Sequence, residues 1–269
     1  MPSWGQILRE FQDSGRARGD EGPDSDGIRL RYIRRLNELS GHAVIVYASA
    51  WLKSSDTNLA YSVEGADVHA LMEVCHEVPE RRLDLILHSP GGFPQAAEQM
   101  LNYLRTQFDY IRALVPLQAK SAATMLALGA DEIVMGRHSE LGPIDPQIIV
   151  PVPAGSRPAP AHAILRDFQR AKDEIATDTG KLPAWTPILR GYAGGLIDFC
   201  SQQIALSQEV VAGWLEEHML SHDDAGIPAG EREEVAKGIA GYFGSEDSYD
   251  RFRTHSRPIR VEELEGIRG

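Results

Sequence analysis

LDLILHSPGG (residues 83–92) and AKSAATMLALGADEIVMGRHSELGPIDPQ (residues 119–147) decide the reading of this chain. In the first, an apolar run of strand character enters a Ser-Pro-Gly-Gly turn, and a helical pattern follows over residues 94–108. In the second, a β-like run over residues 111–117 leads to Ser121, which opens a helix of small apolar residues over 122–128. Glycines let backbone amides approach a ligand closely. A serine at a helix N-terminus sits beside free amides as well. A glycine turn and a hydroxyl at a helix head are the two parts that acyl transfer needs.

Outward from this centre, strands and helices alternate. Residues 43–49 (AVIVYAS) read as a buried strand, 68–78 as a helix and 132–135 as a further strand. Leu30, Ile33, Leu36 and Leu39 have helical spacing. This alternation implies an α/β fold with a largely parallel sheet. Residues 151–160 (PVPAGSRPAP) read as a proline-rich loop, and helices are expected at 162–177, 187–203, 207–220 and 231–243. Residues 15–27 read as a linker. Trp4, Ile7, Leu8 and Phe11 form at most one amphipathic turn ahead of it. The division expected is a flexible tail over 1–27, a core domain over 28–203 and a helical extension of that domain over 204–269.

The chain has 269 residues and a formal net charge of -12, with 39 acidic against 27 basic side chains. Phosphate affinity rests on clustered Lys and Arg, so nucleic acid is not an expected partner. Cys75 and Cys200 are far apart and lack metal-ligand spacing, so neither a disulfide framework nor a zinc site is expected. No apolar run reaches the roughly 18 residues of a membrane span. No secretory hydrophobic region opens the chain, and a cytoplasmic protein without metal or organic cofactor is expected.

Each chemical candidate has a plain structural alternative. Gly91 and Gly92 can present amides to an oxyanion, or simply turn a strand into a helix. Ser121 can be a nucleophile whose neighbour Ala122 supplies a second amide, or an ordinary N-cap. A nucleophilic serine needs a base. Lys172 falls on the apolar stripe formed by Ile164, Leu165, Phe168, Ala171 and Ile175. There it either points into a cleft, where burial favours the neutral amine, or snorkels to water. Lys120, beside Ser121, ranks below it because adjacent side chains point apart.

The ordered motifs SPGG, KSA, GADEIVM and SELGPIDPQ, with YASAWL at residues 47–52 and HSRPI at 255–259, resemble the Clp-protease/crotonase superfamily. Within it, the chain resembles the serine dehydrogenase proteinase group, related to the signal peptide peptidase A family. The resemblance implies a stacked ββα spiral core with C-terminal helices, a homo-oligomer and a peptide or unfolded-protein substrate. By motif, Ser121 falls on the nucleophile position, and Gly91 or Gly92 with Ala122 on the oxyanion-hole positions. Where Clp peptidase carries its histidine, this chain has PIDPQ with Asp145. Signal peptide peptidase A relatives use a lysine from a later helix, and Lys172 occupies that broad location. The function expected is therefore a serine peptidase with a Ser121–Lys172 dyad. The alternatives are a crotonase-like acyl-CoA hydratase or hydrolase and an inactive oligomeric scaffold on the same fold. Val210, Val211, Trp214 and Leu215 are expected to offer an apolar face for assembly.

Overall fold

A computed structural model describes residues 3–19, 22–49, 61–152 and 155–267. Helix α1 (Trp4–Arg18) opens the chain with a capping box at Ser3, and α2 (Ser25–Ser40) follows. The linker read over residues 15–27 is helical at both of its ends, over 15–18 and 25–27. Ser3 and Gln6 satisfy each other's backbone N–H groups, which lets α1 run four turns where one was expected.

The strands β1 (Ala43–Ala48), β2 (Arg82–His88), β3 (Tyr110–Val115) and β5 (Glu132–Met135) form one parallel sheet in the order β1-β2-β3-β5. The short strand β4 (Gln118–Ala119) belongs elsewhere. Leu83, Leu85 and Leu87 alternate along β2 and point to one face, where Ile111 and Ala113 of β3 lie in register beside Leu83 and Leu85. Helices α3 (Asp67–Cys75), α4 (Pro94–Gln107) and α5 (Ala122–Leu128) contribute to the same core. All seven residues of α5 are buried, which its alanines permit by letting neighbouring elements approach closely. The architecture is the α/β fold with a largely parallel sheet expected from the alternation of strands and helices.

A second, three-stranded sheet joins β4 to β6 (Glu140–Leu141) in parallel, and β6 to β9 (Ile259–Arg260) antiparallel. Its last strand comes from the far end of the chain. The proline-rich stretch is not a loop: β7 (Gln147–Val152) and β8 (Gly155–Pro160) pair as a two-stranded antiparallel ribbon. Each ribbon strand has one unpaired side, where a proline's missing N–H costs nothing.

The C-terminal helices are α6 (Ala161–Thr177), α7 (Leu182–Leu189), α8 (Leu196–Glu217), α9 (Arg232–Gly244), α10 (Glu246–Phe252) and α11 (Val261–Leu264). The helices expected at 187–203 and 207–220 are divided differently. Gly195, at φ 82°, ends the connection after α7, and α8 then runs unbroken for 22 residues. Val211, Trp214 and Leu215 are buried within the core and Val210 packs against it, so this face serves the fold and offers nothing to assembly. Trp214 seals the end of α5: a Cβ at Gly129 would lie 3.0 Å from its ring. Trp214→Ala is expected to cost about 3–5 kcal/mol, measured by urea unfolding, since a cavity remains where the indole packs.

Asp131 ties this helical part to the sheet. It accepts from the Ile111 amide, from Arg105 and from His222 at 2.7, 2.6 and 2.8 Å. Burial works to raise its pKa, but these partners together hold the carboxyl below the usual carboxylate range.

Candidate active site

Ser121 is the residue between β4 and α5, and its backbone is unusual. It has φ 50° and ψ -120°, a positive φ that a side-chain-bearing residue rarely adopts. Its side chain makes no capping hydrogen bond, so the plain N-cap reading fails. The turn is held from both sides. The Met125 amide donates to the Ser121 carbonyl at 3.0 Å, the Ala123 amide to Lys120 at 2.9 Å and the Lys120 amide to Ser89 at 3.0 Å. A sharp strand-to-helix turn of this kind lifts a hydroxyl out of the backbone and toward a bound group.

The glycine turn packs directly against it. Gly91 has φ 95°, and a Cβ there would lie 2.4 Å from the Lys120 carbonyl oxygen and 2.7 Å from Ser121 Cβ. A Cβ on Gly92 would lie 2.3 Å from the Val63 nitrogen. Val63 bridges the turn: its amide donates to the Gly91 carbonyl at 2.8 Å, and the Phe93 amide donates to its carbonyl at 3.0 Å. The Gly91 amide donates to the buried Ser89 hydroxyl at 3.1 Å. Among the described residues, the amides of Gly92 and Ala122 donate to no protein group. The structure therefore leaves one N–H open in the turn and one at the head of α5, while Gly91 serves as the space between them.

The two candidate lysines differ in their surroundings. Lys172 is exposed. Its Nζ donates to Gln169 of the same helix at 3.4 Å and lies 5.9 Å from the Phe168 ring. The buried residues of α6 include Ile164 and Ala171, while Lys172 follows the surface. Lys120 is buried but engaged. Its Nζ donates to Glu140 at 3.0 Å and to the Leu141 carbonyl at 2.9 Å. Burial pushes its pKa down, against the opposing pull of Glu140.

A different pair does reach the site's side of the fold. Asp145 is buried, and its Oδ1 lies 2.7 Å from His255 Nδ1. In the neutral tautomer whose Nδ1–H donates to this carboxylate, Nε2 carries the lone pair. Asp145 Oδ2 accepts from the Gln147 side chain at 2.7 Å. The small sheet explains why these residues converge. Ser121 comes two residues after β4 and Asp145 four residues after the parallel β6. His255 comes four residues before the antiparallel β9. All three therefore leave the sheet at the same end. Thr124 locks the arrangement, donating to the Ala119 carbonyl at 2.7 Å and accepting from the Gly142 amide at 3.0 Å.

Sequence reasoning missed this histidine because it sought one near PIDPQ, whereas His255 lies 110 residues from Asp145. The only signal was the HSRPI motif itself. The YASAWL motif lies partly outside the described residues. Among the described residues, no group of three or more His, Cys, Asp or Glu is placed to hold a metal ion, and no helix is long and apolar enough to cross a membrane.

Comparison with known proteins bears on the same region. The family model of ClpP-like SDH-type serine proteinases matches residues 29–182. An uncharacterized protein of Methanocaldococcus jannaschii is 29% identical over 154 residues, covering 56% of this chain and 50% of the relative. A second from the same organism is 40% identical over 82 residues, 30% of this chain and 27% of the relative. The chain thus spans half or less of these curated relatives. Among solved structures, a point mutant of the 1510-N membrane-bound stomatin-specific protease aligns at 14% identity with a TM-score of 0.35, covering 68% of this chain and 72% of that one. A second mutant, in complex with a substrate peptide, aligns at 16% identity with a TM-score of 0.34, covering 75% and 70%. The family match spans more than half of the chain and contains the glycine turn, Ser121 and Asp145, and on that ground the chain belongs to the ClpP-like SDH-type serine proteinase family.

Proposed function

We propose that this protein is a serine peptidase whose working residues are Ser121, His255 and Asp145. Ser121 Oγ attacks the carbonyl carbon of a peptide bond, and His255 Nε2 takes the hydroxyl proton. Asp145 holds the imidazole in the tautomer that can accept it and stabilises the cation that forms. The amides of Gly92 and Ala122 donate to the tetrahedral oxyanion. His255 then gives its proton to the leaving amine, and water releases the acyl-enzyme by the same path in reverse. Family membership supports the reaction class. The observation that carries the choice of base is the Asp145–His255 hydrogen bond, at the end of the sheet from which Ser121 departs.

This reading takes His255 in place of Lys172 as the base, because Lys172 is exposed and its Nζ donates to Gln169 of its own helix. It also removes the motive for an inactive scaffold, which rested on a missing histidine. Peptide or unfolded protein remains the proposed substrate, and homo-oligomerisation and a cytoplasmic location rest on the resemblance and composition alone.

The reading is tested by hydrolysis of fluorescein-labelled casein. His255→Ala and Asp145→Asn are each expected to lower turnover by roughly 10³–10⁴-fold. Lys172→Ala is expected to stay within about twofold of the parent, as for a surface change. The opposite pattern, with Lys172→Ala inactive and His255→Ala active, would restore the dyad.

A further inference from the structure

Asp145 has two oxygens and the proposed reaction uses only one. Its carboxylate is buried between Pro143, Ile144, Pro146 and Ile148, all of them buried as well. Leaving one oxygen of a buried carboxylate without a donor costs free energy and leaves its rotamer less firmly fixed. Gln147 meets that need. It is the first residue of β7, and its Nε2 donates to Asp145 Oδ2 at 2.7 Å while His255 occupies Oδ1.

The backbone between them is short and anchored. The Ile144 amide donates to the Phe243 carbonyl at 3.0 Å, and the Ala161 amide, at the head of α6, donates to the Pro146 carbonyl at 2.9 Å. Gln147 itself is paired with Pro160 across the ribbon. The side chain that grips Asp145 is thus fixed by the β7–β8 ribbon and by α6, neither of which supplies another proposed working residue.

We propose that Gln147 is a positioning residue for the reaction, acting through Asp145 on His255. This rests on the Ser121–His255–Asp145 reading above. Gln147 holds the carboxylate in one rotamer, which sets the aim of the imidazole. Nearby, Lys120 and Glu140 pair with each other, and His162 at the head of α6 is held through Nε2 by the Gly244 carbonyl. Among the described residues, the side-chain hydrogen bonds of Asp145 are those to Gln147 and His255, one on each oxygen.

The test uses Gln147→Met, which keeps the length and removes the donor, and Gln147→Glu, which sets a second carboxyl against Asp145. Each is measured for kcat and KM on fluorescein-labelled casein, for the rate of labelling by a fluorophosphonate and for the thermal midpoint. Gln147→Met is expected to lower kcat and the labelling rate about tenfold with KM within about twofold. Gln147→Glu is expected to lower kcat further, since a like charge stands against the carboxyl that Gln147 holds. A residue that merely braced the ribbon would lower the thermal midpoint and leave kcat, KM and the labelling rate unchanged. The proposal is overturned if both variants keep the parent kcat and labelling rate while Asp145→Asn loses activity. If Asp145→Asn and His255→Ala keep activity, the underlying reading falls and takes this one with it.

Discussion

Ser121→Ala is expected to abolish casein hydrolysis, by roughly 10⁴-fold or more, and to abolish labelling by a fluorophosphonate. The Ser121 hydroxyl makes no capping bond at the head of α5, so no structural role competes for it. If the three proposed residues act as a unit, adding His255→Ala to Ser121→Ala should lower activity little further. A stability measurement separates function from structure here. Ser121 holds φ 50°, a conformation that glycine adopts far more readily than serine. Ser121→Gly should therefore be as inactive as Ser121→Ala and yet resist unfolding by about 1 kcal/mol more than the parent. A serine kept where it costs stability is what a site under functional demand looks like. Full labelling of Ser121→Ala would mean that another residue is the nucleophile.

Gly91→Ala is expected to damage both the fold and the reaction. The new methyl would stand 2.4 Å from the Lys120 carbonyl oxygen and 2.7 Å from Ser121 Cβ. The first obstacle is backbone and cannot swing aside, and φ 95° is itself unfavourable for alanine. The glycine turn and the Ser121 turn must then separate. A loss of about 3 kcal/mol or more is expected by urea unfolding, from overpacking and strain together. Separation would also part the Gly92 and Ala122 amides of the proposed oxyanion hole, where losing one donor costs about 10²–10³ in kcat. Gly213→Ala is the control. It lies inside α8 with nothing within 4 Å of a new methyl, so the same substitution should stabilise by about 0.5–1 kcal/mol and leave activity unchanged. Equal effects at both glycines would refute the packing argument.

The alternation of apolar residues in LDLILH and the small residues of SAATMLAL determined, by themselves, a buried parallel strand and a buried helix, and both stand where the sequence placed them. These signals are local: a period of two or a run of alanines needs no distant partner to be read. The glycine turn and Ser121 were legible for the same reason, as short motifs at the ends of strands. What the sequence could not determine was everything set by pairing across long separations. The proline-rich stretch became a ribbon only because two of its strands found each other. Val211, Trp214 and Leu215 read as an exposed face until α8 was packed against the core. Lys172 sat on an apolar stripe by helical arithmetic, but an angle on a helix does not say which neighbours close over it. His255 joined Asp145 because β9 pairs antiparallel with β6 and carries the end of the chain to the serine's side of the sheet. Periodicity gives each segment its face; only the packing of segments decides which faces meet, and it is packing that brings His255 to Asp145.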